Sequence, residues 1–397
     1  MSAPAAGSVA DLCRQAHESV GDIGSARSLP AGVYTSPEFY EFEKNSVFRS
    51  SWLYLCHESQ VPEPGDHLAV TVADEPLLVA RDHDGRINVL SAVCQHRGYV
   101  ITDCDGSSKR FRCPYHAWTY ELDGRLVAAP SMGPAHDLDE LRRTIALPKL
   151  RVEIWHGLVF ATLDADAAPL APTVADADAA IAPYRLGDMV VAETVTIRDL
   201  PFNWKNMQEN ALEEYHTSYI HKGFHENVPA DRVVHGAFPP GAGAVYRHAG
   251  MIIGGGEPVP GRPTLPVVEG LTEQERHHFV FLAVPPLLFA AIRPDGAKVF
   301  RIVPQSAGLT TLTIQFLFPR PTLELDDFDD LLRQQVAMID TIDQPDLDSN
   351  ARVYAGLRSS FAPRGQLSPQ ESSLPQFNRW LLDRYEGAGR PAAGVSA

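Results

Sequence analysis

Four residues in two short segments carry the strongest chemical signal in the chain. Cys94-Gln95-His96-Arg97-Gly98 and Cys113-Pro114-Tyr115-His116-Ala117-Trp118 give C-x-H, sixteen intervening residues, then C-x-x-H. A [2Fe–2S] cluster of the Rieske type takes two cysteines on one iron and two histidines on the other. Neutral imidazole in place of thiolate removes negative charge from the cluster and raises its potential, so it accepts electrons more readily. Zinc takes the same ligand types, but zinc sites more often place two Cys in one half and two His in the other. Here each half carries one of each, so Cys94, His96, Cys113 and His116 are read as cluster ligands and the chain as a redox protein.

A second set lies further on. Non-haem Fe(II) enzymes that use oxygen hold the metal by two His and one carboxylate on one face, leaving the opposite positions open. His216 and His221 can supply the two imidazoles. Their five-residue spacing puts them ~140° apart on an ideal helix. A helix there has to distort or end between them, and a π-bulge is one way to do so. His221 with His225, at i and i+4, is the competing pair, on a helix that Gly223 weakens. Surface or core histidines without a metal are the third reading of these residues.

The elements that must position these groups follow from pattern and composition. At 397 residues with 44% hydrophobic content, the chain suggests two domains or one large one. The formal net charge of −16 argues against a nucleic-acid partner. It suits a basic electron donor, a cationic substrate or simple solubility. There is no long apolar run for a membrane span, and residues 1–10 lack the basic and apolar regions of a signal peptide. Five cysteines, two of them in the cluster motif, suit a reducing cytoplasm. Cys13, Cys56 and Cys104 are read as structural, acting as small buried hydrophobes.

Residues 37–48 read as an opening helix with Glu41 and Glu43 on its polar side. From 52 to about 163, short strands alternate with turn signals at Pro64-Gly65, Asp84-Gly85, Asp105-Gly106 and Asp123-Gly124, which predicts a small all-β domain around the cluster loops. Residues 164–182 read as a linker with a short helix. Beyond it, strands are predicted at 190–197, 279–284, 287–292, 299–303 and 309–318. Helices are predicted at 203–220 and 325–357, the latter interrupted near Pro345. The long Gly- and Pro-rich stretch 232–266 reads as a lid or a disordered loop. The fold class expected is α+β. An N-terminal helical segment (1–48) packs on a catalytic domain (164–397) that has an antiparallel sheet flanked by helices, and an all-β [2Fe–2S] domain (49–163) lies between them in sequence. The pocket is expected to be apolar, walled by Phe202, Met207, Leu212, Phe281, Leu288 and Ile302.

With both motifs in hand, the chain resembles the Rieske non-haem iron oxygenases, the α-subunit family that includes ring-hydroxylating dioxygenases. The resemblance runs from residue 29 to residue 380. Tyr99 and Tyr115 stand where respiratory-chain Rieske proteins carry disulfide-forming cysteines, which points to the oxygenase and ferredoxin branch. The family pattern of an acid, two residues, His, four or five residues and His maps onto Glu213, His216 and His221. Asn210 matches a polar position near the iron in some members. The family's third ligand is an Asp upstream of a turn that appears here as Gly356-Leu357-Arg358-Ser359. Counting back gives Asp346, with Asp343 and Asp348 as rivals that otherwise read as solvated charges.

The resemblance also implies an assembly: a head-to-tail ring, usually of three chains, with or without a small β subunit. In it Glu213 bridges an iron-ligand His and the partner subunit's His116. Glu214 reads as a solvated neighbour. Two departures stand out. Most members have Asp where this chain has Glu213, and Glu resembles the choice of members acting on carnitine-like quaternary ammonium compounds. Ala117 replaces a frequent Gly and is read as harmless. The implied activity is that of a terminal oxygenase component. It would use O2 and electrons from NAD(P)H, through a reductase with or without a ferredoxin, on a small organic substrate. The reading leans to monooxygenation or oxidative demethylation, with aromatic-ring cis-dihydroxylation as the alternative. A Rieske electron carrier without catalytic iron is the third reading, and such carriers are much shorter.

Overall fold

Ten short strands come from the turn-rich segment. They are β1 (Leu53–His57), β2 (Asp66–Val72), β3 (Glu75–Arg81), β4 (Ile87–Ser91), β5 (Gly106–Ser107), β6 (Phe111–Arg112), β7 (Thr119–Tyr120), β8 (Leu126–Ala128), β9 (Arg151–Trp155) and β10 (Leu158–Thr162). They form three antiparallel sheets, ordered β4-β3-β2-β5, β1-β10-β9 and β6-β7-β8. Three of the four predicted turns hold; Asp105-Gly106 instead opens β5. Gly124 shows why one turn needs its residue: φ is +95°, and a Cβ there would lie 3.1 Å from the Leu147 carbonyl oxygen. Leu78, Leu90, Trp118, Tyr120 and Leu126 pack into one core that also takes Cys94 and Cys113.

The computed structural model describes residues 7–133, 135–236, 243–253 and 265–387. The chain divides into two units, Ser51–Ala168, and Met1–Ser50 together with Pro169–Ala397. The divisions fall two and five residues beyond the expected ones, at 50/51 and 168/169 against 48/49 and 163/164.

The second unit is built on a seven-stranded antiparallel sheet. Its strands are β11 (Met189–Leu200), β12 (Val233–His235), β13 (Val245–Gly250), β14 (His278–Val284), β15 (Leu288–Arg293), β16 (Gly296–Ser306) and β17 (Leu309–Pro319), in the order β11-β17-β16-β15-β14-β13-β12. The stretch 232–266, read as a loop, thus contributes two strands. Residues 245–250 alternate buried and half-buried, a period-two signal that the flanking Gly and Pro hid. Residues 237–242 and 254–264 of that predicted lid lie outside the described residues, as do 1–6 of the N-terminal stretch.

The predicted helix 203–220 is split into Trp204–Ala211, opened by an Asn203/Asn206 capping box, and a single turn at Thr217–Ile220. Gln208 on this helix donates to the carbonyls of Pro286 (2.9 Å) and Leu288 (3.3 Å), pinning the β14–β15 turn. The predicted break near Pro345 is displaced. Helix Phe328–Ala337 is followed by a π turn, Ile339–Asp343, and then by helix Gln344–Leu357. Pro345 sits in that helix's first turn, where a missing N–H is harmless.

The opening helix is Pro37–Glu43, continued by a π turn over Lys44–Phe48. Glu41 faces solvent and pairs with Lys44, but Glu43 does not share the polar side expected for it: it is fully buried. Lys205 Nζ lies 2.8 Å from both Glu43 oxygens, Tyr385 donates to Oε1 at 2.7 Å, and Trp204 Nε1 donates to Oε2 at 3.3 Å. Burial holds the Lys205 amine below its ordinary value, against the pull of Glu43. A buried charge that is fully paired survives where a lone one does not, and this pair ties the opening segment to the helix that precedes His216. Cys56 is buried as expected, Cys13 only partly, and Cys104 is exposed on a loop. Among the described residues, no helix is long and apolar enough to cross a membrane.

Candidate metal centres

The two cluster-motif loops share one backbone design. Cys94 N donates to Tyr99 O and Gly98 N to Cys94 O; Cys113 N donates to Trp118 O and Ala117 N to Cys113 O. Each loop is therefore closed on its own cysteine. The fifth residue of each takes a left-handed conformation, Gly98 at φ +75° and Ala117 at φ +59°. Ala117 is thus not free of consequence: an alanine there costs about 1–2 kcal/mol that glycine avoids. The cysteines are buried, whereas His96 and His116 are half-exposed.

The His96 and His116 rings lie 4.7 Å apart, and His96 stacks on Trp118 at 4.9 Å. Tyr120 Oη lies 3.3 Å from Cys94 Sγ and accepts from Gln95 N at 3.1 Å. Burial raises the Cys94 thiol pKa, partly offset by that Tyr120 contact. Tyr99 and Tyr115 occupy the positions where a disulfide is absent, 5.9 Å apart, with Arg97 donating to Tyr115 Oη. The four donors fit a two-iron cluster rather than a single ion. Among the described residues, they do not form a group that converges on one point.

Such a convergence does occur in the other unit. One ligand atom each from His216, His221 and Asp346 lies within 4.8 Å of the others. The helix problem set by the spacing is solved by breaks. After Ala211 the chain leaves the helix, resumes over Thr217–Ile220, and breaks at His221, whose φ/ψ of −109°/57° is not helical. The His221 ring thereby turns to within 5.2 Å of His216. Its Nε2 lies 3.0 Å from Asp346 Oδ1, and His216 Nε2 lies 3.5 Å from the same oxygen. Asp346 comes from the first turn of helix Gln344–Leu357. Asn210 Nδ2 donates to Asp346 Oδ1 at 3.2 Å. His225 does not join the group; its Nδ1 accepts from Ala230 N.

Glu213 reaches His216 by a turn rather than along a helical face. His216 N donates to its Oε2 at 3.1 Å, and His216 Nδ1 is in short contact with its Oε1. A carboxylate on Nδ1 fixes the tautomer and aims Nε2 at a metal. Burial lowers the His216 pKa, and Glu213 and Asp346 more than offset it. His221 Nδ1 is buried with no hydrogen-bond partner among the described residues, so this ring is held by its Nε2 contact with Asp346 and by packing against Phe224.

The rival acids resolve differently from expectation. Asp348 is exposed and accepts from Gln344. Asp343 is not solvated: it is buried, with Lys298 Nζ 2.5 Å from its Oδ2. Glu214 is also buried rather than solvated, accepting from His235 at 3.1 Å and lying 3.7 Å from Arg247.

A cavity of about 110 Å³ opens on the triad. Asn210, His216, His221 and Asp346 line it, as do Met207, Phe279, Phe281, Phe289 and Phe300. Of the expected walls, only Met207 and Phe281 do so. Phe202, Leu212, Leu288 and Ile302 are buried in the core and do not line it. Strand parity explains the Leu288 error. The register pairs Arg247 with Phe281, Phe281 with Ala291, Phe289 with Phe300 and Ala291 with Lys298, so these share one face, and Leu288 points to the other. Ile302 shares that face but lies beyond the cavity along β16. The sequence reading missed Arg247, Arg293 and Lys298, which also line the cavity. Charged residues inside otherwise apolar strands were the available signal.

A model of the ring hydroxylating alpha subunit (catalytic domain) matches residues 186–387, and one of the Rieske [2Fe-2S] domain matches residues 51–150. The chain is 32% identical over 212 residues to the anthranilate 1,2-dioxygenase large subunit of Acinetobacter baylyi, covering 52% of this chain and 45% of that one. It is 32% identical over 218 residues to the carnitine monooxygenase oxygenase subunit of Acinetobacter pittii, covering 53% and 57%. The chain thus spans about half the length of the curated relatives it matches. Its fold superposes on a solved quaternary ammonium Rieske monooxygenase with a TM-score of 0.79 at 23% identity, over 94% of this chain and 98% of the other. With its cluster loops in one unit and its two-His, one-carboxylate group in the other, the chain belongs to the ring-hydroxylating α-subunit family, whose members join a Rieske [2Fe–2S] domain to a catalytic domain that binds mononuclear iron.

Proposed function

We propose that the chain is the terminal oxygenase component of a multicomponent system, hydroxylating a small organic substrate with O2 and electrons from NAD(P)H. The observation that carries this reading is the convergence of His216, His221 and Asp346 on one point at the wall of a phenylalanine-lined cavity. Cys94, His96, Cys113 and His116 would hold the [2Fe–2S] cluster, and His216, His221 and Asp346 the Fe(II). When bound, the cluster relays single electrons and the iron activates oxygen.

The chain's own residues do the rest. Glu213 holds the Nδ1 proton of His216 and so keeps Nε2 free to ligate. Asn210 orients the Asp346 carboxylate through Oδ1. The phenylalanine walls exclude water and seat the apolar part of the substrate beside the triad. Glu213 also serves as the electron bridge in an assembled ring, linking His216 to the partner subunit's His116. We infer a homotrimer, with or without a β subunit, served by an NAD(P)H-dependent reductase directly or through a ferredoxin, in the cytoplasm.

The reaction leans to monooxygenation or oxidative demethylation, supported by Glu213 in place of Asp and by the likeness to a carnitine monooxygenase subunit. Ring cis-dihydroxylation is the second reading, favoured by the phenylalanine-lined cavity and the likeness to anthranilate 1,2-dioxygenase. The test is turnover of pooled aromatic acids, amines and quaternary ammonium compounds under ¹⁸O₂ by the chemically reduced protein, with products read by mass spectrometry. One labelled oxygen, or a lost methyl with formaldehyde, supports the first reading. Two labelled oxygens on a ring support the second. A protein that holds the cluster but no further iron and consumes no oxygen sinks both.

A further inference from the structure

Besides the triad, the cavity wall carries three cations, Arg247, Arg293 and Lys298, together with the acids Glu214 and Asp343. Lys298 is fully engaged and Arg247 nearly so, its Nε alone making no hydrogen bond among the described residues. Arg247 donates to the carbonyls of Ala211 (2.7 Å) and Glu213 (3.2 Å) beside Glu214, and its guanidinium lies 4.7 Å from the Phe281 ring centre. Lys298 is held by Asp343 and lies 5.2 Å from the Phe300 ring centre.

Arg293 differs. It is 8% exposed, and Nη1 donates to Gln335 Oε1 at 2.9 Å, itself a buried residue on the cavity wall. Its Nε lies 2.9 Å from Asp295 Oδ1, yet among the described residues neither atom makes a hydrogen bond. A buried guanidinium fork with donor capacity to spare, on the wall of a phenylalanine-lined cavity, matches the planar geometry of a carboxylate. Lys298, paired with Asp343, lies within electrostatic reach of both Arg293 and Asp346.

We propose that Arg293, backed by Lys298, forms an anion subsite that seats the carboxylate of a small organic acid, with its apolar body between the phenylalanines and its reacting carbon at the triad. The position of the reacting carbon rests on the oxygenase reading; the anion subsite does not. A quaternary ammonium ion seats on aromatic faces, and two of the cavity's five phenylalanines, Phe281 and Phe300, already carry the chain's own cations. The volume suits a single ring or a short branched chain, since an apolar cavity of about 150 Å³ accepts benzene. Demethylation and dihydroxylation both remain open to an anionic substrate, so the inference narrows the substrate and not the reaction.

The test is calorimetric binding of benzoate, benzamide and phenyltrimethylammonium to the anaerobic holoprotein, wild type and Arg293→Gln, with iron content and Tm recorded for each. Loss of one charge-assisted contact predicts benzoate weakened about 10- to 100-fold in Arg293→Gln. Benzamide should change less than about twofold, and Arg293→Lys should recover part of the loss. If Arg293→Gln fails to fold, the wild type decides alone. Benzoate bound about tenfold tighter than benzamide supports the subsite. Phenyltrimethylammonium or benzamide bound as tightly as benzoate overturns it. Formaldehyde released from phenyltrimethylammonium without benzoate binding would sink the subsite and leave the oxygenase reading intact. Arg293-dependent benzoate binding in a protein lacking mononuclear iron would do the reverse.

Discussion

The cluster loops carry their four donors between Cys94 and His116, each loop closed by hydrogen bonds onto its own cysteine. The proposed mononuclear triad draws its donors from a broken helical run and from a helix 125 residues further along. The first site is made by local backbone geometry, so its ligand spacing appears in the sequence. The second is made by packing: its geometry depends on the Trp204–Ala211 helix, on the Glu43–Lys205 pair that anchors it, and on the first turn of Gln344–Leu357. The two should therefore fail independently and for different reasons.

Cys113→Ala separates them most sharply. It should abolish the visible absorption of the cluster while the mononuclear iron stays bound and the seven-stranded unit keeps its unfolding midpoint. Loss of both irons together would show that the sites are coupled.

Glu43→Ala probes the packing that supports the second site. It leaves Lys205 as an unpaired buried charge, and the expected cost is about 3–5 kcal/mol, read by denaturant unfolding, with the cluster spectrum unchanged. A Glu43→Leu, Lys205→Met double variant should recover most of that loss. Equal losses in the single and double variants would mean that the hydrogen bonds to Trp204 and Tyr385, rather than the uncompensated charge, set the cost.

Glu209, on the same helix, supplies a pH test. Burial pushes its carboxyl up to about 7, despite a 2.5 Å hydrogen bond from Tyr34 and the nearby Lys205 charge. A raised folded pKa means stability fully present below the ordinary value of 4.5 and lost as pH rises through about 7. Glu209→Gln should therefore match the wild type near pH 4.5. It should exceed the wild type above pH 8 by on the order of 2 kcal/mol, allowing for partial exposure of the residue. A stability difference independent of pH would contradict this.

The smallest expected effect lies in the cluster loops. Ala117→Gly should stabilise the Ser51–Ala168 unit by about 1 kcal/mol by relieving the left-handed strain, visible as a raised Tm of the holoprotein. No gain would mean that the loop has already absorbed the cost elsewhere.

The same contrast explains what the sequence disclosed. The cluster motif at Cys94, His96, Cys113 and His116 could be proposed from sequence because the loop geometry that sets its spacing is local. His216 and His221 were ambiguous by periodicity, because the helix breaks at His221, and a break is a tertiary outcome. The strands with strong apolar content, β14 to β17, were found to within a few residues. Strands β12 and β13 were not, because short alternating segments among Gly and Pro give weak periodicity. Glu43, Glu214 and Asp343 were misread as solvent-facing for a common reason. A buried acid is recognised by its partner, and those partners, Lys205, Arg247 and Lys298, lie 162, 33 and 45 residues away. The pocket wall was misassigned where strand parity could not be fixed without a register.

The most direct measurement is iron stoichiometry with cluster spectroscopy on wild type and Asp346→Ala. The two-site reading predicts about three irons per chain in the wild type and about two in the variant. The cluster spectrum should be identical and oxygen-dependent turnover absent. Unchanged iron content and full turnover in Asp346→Ala would contradict the assignment of the triad.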